Sequence, residues 1–232
     1  MIGVLAGVAV FGIGIGTGCR PATHAQTSTQ TSAQQSVQTS APQSAQTPPR
    51  QSTTAAATTQ LAALAIKGRA PMTGYARSNF GPAWPPEHGC DARNDVLRRD
   101  LAATTFKGSC TVMTGTLTSP YTSATIHFVR GPQSAAVQID HVVALGDAWQ
   151  TGAQSWSASE RETFANDPAE LLAVDGPSNE QKGDADAASW LPPNKSFRCR
   201  YVSIQVAVKA KYHLWVTKAE HDAMARVLQS CG

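Results

Sequence analysis

The sequence predicts one α+β domain, closed by two disulfides, behind a long polar N-terminal segment. Three observations predict it. Runs rich in β-branched residues, at 111–114, 116–117, 125–129 and 136–143, occupy the middle of the chain and suit strands. Helix-start signals, two of them capping boxes, fill the second half. Four cysteines, at 90, 110, 199 and 231, show no CxxC or paired CxxH spacing, so they read as disulfides of an exported domain rather than zinc ligands.

The N-terminus is organised differently. Residues 2–18 are apolar and uncharged, short for a membrane span but long enough for the core of a signal peptide. They end in Gly16-Thr17-Gly18-Cys19, which resembles a bacterial lipoprotein cleavage box with Cys19 as the lipidated residue. A signal peptide over 1–19 is therefore expected, leading to a cell-surface lipoprotein or a freely secreted protein. Residues 20–60 repeat Gln-Thr-Ser-like units with almost no large apolar side chain, so they cannot offset the entropy of folding and are expected to form a disordered tether. The folded part is expected to span 61–232 and is nearly neutral, 17 basic residues against 16 acidic. A general electrostatic pull on a polyanion is thereby excluded, and any such binding has to come from a local patch.

Within the domain, 61–66 reads as a helix, 75–86 as a Pro- and aromatic-rich wrap, and 94–102 as a second helix. Ser119-Pro120-Tyr121-Thr122 turns the chain between strands. The strand at 136–143 is followed by helices over 144–151 and 157–165, the latter opened by the capping box Ser157-Ala158-Ser159-Glu160. Leu171–Val174 is a short apolar run between turn signals, hence a buried strand. Pro177-Ser178 then opens a helix carrying Asn179 and Lys182. The C-terminus reads as an α-hairpin: Ser196 caps a helix with Tyr201, Ile204, Val208 and Tyr212 on one face, and Thr217-Lys218-Ala219-Glu220 is a second capping box. Cys199 lies 15 residues before Leu214 and Cys231 lies 14 after Thr217. Antiparallel helices of equal rise bring those cysteines level, which favours Cys199–Cys231 and leaves Cys90–Cys110.

The chemistry concentrates at Gln138-Ile139-Asp140-His141-Val142-Val143. An acid and an imidazole inside an apolar strand are costly unless they work. Phosphodiester hydrolysis needs an activated water and a means of holding charge on the leaving oxygen. His141 can take the proton from water. Asp140 and Asn179 offer two hard oxygens for a divalent metal: Mg²⁺ is expected, with Mn²⁺ or Zn²⁺ as alternatives. Because successive strand residues point to opposite faces, the strand is expected to end or bend at 140–141.

Residues 137–145, Leu171–Val174 and Asn179-Glu180-Gln181-Lys182-Gly183-Asp184 together resemble the HNH nuclease superfamily. The closer resemblance, over about 74–231, is to secreted actinobacterial HNH endonuclease family proteins related to the C-terminal domain of GmrSD-type restriction enzymes. Gly89–Asn94, Trp190–Lys195 and Val208–Tyr212 share it. The resemblance implies a ββα-metal core elaborated with helices, with His141 as general base and Asp140 and Asn179 as metal ligands. Nine residues before Asn179, where many HNH proteins carry an Asn that orients the base loop, this chain has Glu170, with Asn166 as a substitute for that role.

Around this centre, Arg93 and Lys182 are candidate phosphate contacts. Asp184 is a further ligand or a supporting residue, and Asp147 either orients His141 or is a solvated helix acid. His88, His127, His213 and His221 read as structural or surface residues, and Trp149, Trp156 and Trp190 as core. The expected activity is an exported, metal-dependent endonuclease acting on nucleic acid, DNA foremost, with membrane contact only through the N-terminal anchor and no protein partner indicated. The alternatives are a non-catalytic surface module that binds DNA and a metallo-hydrolase of another phosphodiester polymer.

Overall fold

The computed structural model of the protein describes residues 50–87 and 89–231. The expected signal peptide, the lipidation site Cys19 and most of the 20–60 stretch lie outside the described residues, as does His88. The described residues carry seven α-helices, three small antiparallel sheets and both expected disulfides, Cys90–Cys110 and Cys199–Cys231. None of those helices is long and apolar enough to cross a membrane.

Helix α1, Arg50–Ala63, begins inside the stretch expected to be a tether. Ala57 and Leu61 are buried with Tyr201, Val206 and Met224. The helix thus begins eleven residues, about three turns, before Leu61; Ala57 and Leu61, four apart, supply its buried contacts, and the Gln/Thr-rich composition around them hid the face. Next come a single 3₁₀ turn (Arg77–Phe80), the minimal strands β1 (Pro86–Glu87) and β2 (Cys90–Asp91), and α2 (Ala92–Asp100). The Asp91 side chain caps α2 by accepting from the Asn94 N–H. The chain does not stay helical to Ala102: Leu101 is already extended and leads into β3 (Ala102–Lys107). The runs at 111–114 and 116–117 are one strand, β4 (Thr111–Thr118), and with β5 (Thr125–Val129) they complete the sheet β3-β4-β5.

Strand β6 (Val137–His141) pairs antiparallel with β7 (Leu171–Asp175). Between them lie α3 (Leu145–Gln150) and α4 (Ala158–Ala165), the latter with both bonds of its capping box at Ser157 and Glu160. Helix α5 (Gly176–Lys182) follows β7 directly. At the C-terminus α6 (Arg198–Lys211) and α7 (Lys218–Gln229) form the hairpin that Cys199–Cys231 bridges. Ser196 does not cap α6. The Asn194 side chain accepts from Ser196, and a 3₁₀ turn over Lys195–Phe197 runs into the helix.

Three apolar clusters make the core. One joins α1, α6 and α7 to Tyr121, Val142 and Val174; a second joins α2, β4 and β5 to Val137, Ile139, Leu171 and Ala173; a third joins α3 and α4 to Phe80 and Val143. The β6–β7 pair feeds the first two, and the segment just after β6 feeds the first and the third.

Candidate active site

The register of β6 on β7, with Asp140 opposite Leu172 and His141 opposite Leu171, is regular to the last pair. Val137 and Ile139 therefore face the second apolar cluster, while Gln138 and Asp140 face α5. The break expected at 140–141 comes one step later: the strand pairs regularly through His141 and the backbone bends at 142–143. Asp140 and His141 still take separate partners, one on each face. They meet because a cavity of about 180 Å³ opens where the strand ends, lined by Arg77, Asp140, His141, Leu145, Asn179 and Asp184 among others.

The segment after β4 fixes both the acid and α5. The buried Tyr121 hydroxyl donates to Asp140 Oδ2, and burial, with the Asp140 charge beside it, pushes this phenol well above its ordinary range, so it stays a donor. Ser119 and Thr122 donate to the Asp175 carboxylate, whose other oxygen accepts from the Ser178 N–H and caps α5. Helix α5 ends at Gly183, whose φ of +50° is a conformation that a side chain would resist.

Hydrogen-bond logic assigns the Asn179 amide. The Glu180 carboxylate can only accept, so the Gln138 group 2.9 Å from it is the NH₂. Gln138 Oε1 must then accept from Asn179 Nδ2, at 2.8 Å. That leaves Asn179 Oδ1 as the atom not engaged by Gln138. The same reasoning sets the tautomer of His141. Its Nε2 is 2.9 Å from the Ala165 carbonyl, which only accepts, so Nε2 carries the proton and Nδ1 is the basic nitrogen. Burial pushes the imidazole down to about 3, assisted by the Arg77 and Lys182 charges, so it is neutral near pH 7. The Trp84 indole lies nearly parallel to it, 10° between planes and 5.8 Å between centroids.

Glu170 is fully buried. Its side chain accepts from the Val143 N–H at 2.9 Å, and its carbonyl accepts from Val142, also at 2.9 Å. It thus clamps the turn that follows His141. Burial raises this carboxyl well above its ordinary range, against the Lys182 charge that lowers it, and so favours the protonated form. Asn166 does not fill that role; its amide caps α4 by donating to the Glu162 carbonyl. Asp184 accepts from the Gly146 N–H at 3.2 Å, and a Cβ at 146 would lie 2.5 Å from its carboxyl carbon, so only glycine lets this acid rest on the first turn of α3.

Three expectations are corrected. Lys182 is not a phosphate contact: its side chain is fully buried and its ammonium bonds Asp140 Oδ1 at 2.9 Å and the His141 carbonyl at 2.8 Å. Its place one turn after Asn179 aims it inward along the same face. Arg93 does not clamp a phosphate here either; it donates to the carbonyls of Val137 and Ser134 and so holds the entry to β6. Asp147 is neither a solvated acid nor a partner of His141. It is buried in an ion-pair cluster, 2.7 Å from Lys209, which also bonds Glu220 at 2.8 Å, while Arg69 bonds Asp186 at 2.7 Å. Asp147, Asp186 and Glu220 are the acids with metal-like spacing among the described residues, but the two cations fill that cluster. Sequence reasoning missed Arg77, Trp84 and Tyr121. Each reaches the site across about twenty to a hundred residues of chain, and no local pattern marks such contacts.

An antiparallel strand pair running directly into a helix, with Asp-His at the end of the first strand and an oriented amide on the helix, defines an HNH-related ββα class of protein. The chain belongs, more narrowly, to the family described as GmrSD restriction endonucleases, C-terminal domain, whose sequence model matches residues 91–227. It is also 39% identical over 182 residues to a protein of Arthroderma benhamiae named an uncharacterized secreted protein, covering 77% of this chain and 86% of that one. No solved structure matches. Membership gives the chain a nuclease-related function at the coarse level.

Proposed function

We propose that the protein is an exported, divalent-metal-dependent endonuclease that hydrolyses the phosphodiester bonds of nucleic acid, DNA foremost. The observation that carries this is the paired orientation of His141 and Asn179 on one cavity. The carbonyl of Ala165 holds the Nε2 proton and leaves Nδ1 basic, while Gln138 holds the Asn179 amide and leaves Oδ1 available.

His141 Nδ1 accepts the proton of the attacking water; burial keeps the ring neutral but also lowers its basicity, which the negative charge of a phosphate bound beside it would raise again. Asp140 and Asn179 are the residues that would hold the metal. Each Asp140 oxygen accepts one hydrogen bond and keeps a lone pair, and the donor set is all oxygen, which fits Mg²⁺ or Mn²⁺ better than zinc. When bound, such an ion supplies charge stabilisation at the leaving oxygen. Lys182 and Tyr121 hold the Asp140 carboxylate in place through one hydrogen bond to each oxygen, Glu170 keeps the turn after His141 in place, and Arg77 is the cation at the cavity wall for the phosphate. Export is supported by the two disulfides and by the secreted relative, with anchoring through a lipidated Cys19 as the proposed membrane contact.

The purified protein should nick supercoiled plasmid in Mg²⁺ or Mn²⁺. His141→Ala should lose about 10²–10⁴-fold, the usual worth of a general base, and Asn179→Ala should lose metal-dependent activity. Equal nicking by wild type and His141→Ala, or nicking by neither, overturns the proposal.

A further inference from the structure

We propose that a second cavity beside His141 receives one unstacked nucleobase next to the scissile phosphate, which makes single-stranded or locally opened nucleic acid the substrate class. This rests on the nuclease reading above. The cavity, about 320 Å³, shares Arg77, His141 and Leu145 with the cavity that holds Asp140 and Asn179. The two differ in character. Acids, an amide and His141 line the first; Phe80, Pro82 and Trp84 dominate the second, with Ser78 and Asn166 as polar points on its wall. A mostly apolar pocket of this size with a few polar groups is the usual form of a small-ligand site, roughly 300–1,000 Å³. A nucleotide offers the matching halves, a phosphate for the polar cavity and an aromatic base for the apolar one, with Arg77 and His141 at the junction.

Trp84 is the stacking platform. It is half-buried and nearly parallel to the His141 ring, so a base beside it would extend an aromatic column that ends at the general base. Its backbone φ is +55°, an outlier for a bulky aromatic and of the kind that gathers at ligand clamps. Bases in a duplex are paired and stacked, and reach such a pocket only by leaving the stack. The near balance of charge in the domain adds little backbone attraction to help duplex binding. Aromatic stacking, by contrast, engages any exposed base.

The test measures binding of a fluorescein-labelled 12-nucleotide single strand, and of the same strand annealed to its complement, by anisotropy in EDTA. Cleavage of both is measured separately in Mg²⁺. Wild type should bind and cut the single strand at least tenfold better than the duplex. Trp84→Ala should weaken single-strand binding by about tenfold, in line with the loss of one stacked base, and leave duplex binding unchanged, while Trp84→Phe should keep most of the affinity. Ser78→Leu, a change at an exposed position that fills the cavity, should reproduce the loss without touching the indole. Equal effects on single strand and duplex, or no effect of either cavity variant, overturn the base pocket even where His141-dependent cleavage persists. Trp84-dependent single-strand binding without cleavage sustains the pocket and overturns the nuclease reading instead.

Discussion

Lys182→Met separates a buried structural cation from a surface phosphate contact. The Lys182 ammonium lies 2.9 Å from Asp140 Oδ1 and 2.8 Å from the His141 carbonyl, and its side chain has no exposed surface. Methionine keeps the length and removes the charge. Asp140 would remain a buried carboxylate with the Tyr121 hydroxyl as its donor. Breaking one half of a buried pair costs about 3–5 kcal/mol. A domain holds about 5–15 kcal/mol in all, so the loss is a large fraction of the total. At about 2–4 °C per kcal/mol for a chain of this size, Tm should fall by roughly 6–20 °C. Urea and thermal unfolding in EDTA would measure this free of metal binding. Adding Asp140→Asn removes the orphaned charge, so the double variant should be more stable than Lys182→Met alone. A Lys182→Met protein with wild-type Tm, whose DNA binding loses about one unit of salt slope, would refute the reasoning.

Two further predictions concern buried titrating groups. Because the His141 pKa is depressed, its neutral form stabilises the fold above the unfolded value near 6.5, and that contribution is lost as pH falls towards about 3. Relative to wild type, His141→Gln should therefore gain several kcal/mol across that window, measured by urea unfolding in EDTA; a difference that is flat with pH would show that the imidazole is not buried and neutral. Glu170 has the opposite sign. Its raised pKa means that its burial costs little below the unfolded value near 4.5 and progressively more as pH rises towards the folded value. Glu170→Gln keeps the acceptor for the Val143 N–H, so it should retain cleavage activity and become more stable than wild type as pH rises from 4.5; a variant less stable than wild type at pH 7 would count against a protonated Glu170.

Local chemistry made much of this architecture legible. The capping boxes at Ser157 and Thr217 act within four residues, and both helices start where those boxes place them. The matched lengths of α6 and α7 fixed Cys199–Cys231, and the β-branched run fixed β6. What escaped was long-range or compositionally disguised. Strand β3 is exposed almost throughout, so no burial pattern distinguishes it from the end of α2. Helix α1 hides its two buried positions among Thr, Ala and Gln. Lys182 sits on the expected helix, but the direction of its side chain depends on Asp140 forty-two residues earlier. Arg93 likewise has the residue type of a phosphate clamp and is instead occupied by carbonyls of a distant segment.

The nine residues from Val137 to Leu145 contribute to all three apolar clusters, and the Asp-His pair lies within them. Most enzymes place their reactive groups on loops at the rim of a scaffold that would stand without them. Here the reactive segment is the keystone: its apolar neighbours tie the clusters together, and their condensation closes the cavity around its polar members. The packing of the core and the shape of the cavity thus depend on the same nine residues. For the nuclease proposed above, this coupling would be a safeguard, since an extended or half-assembled molecule has no arrangement of Asp140, His141 and Asn179 with which to cut.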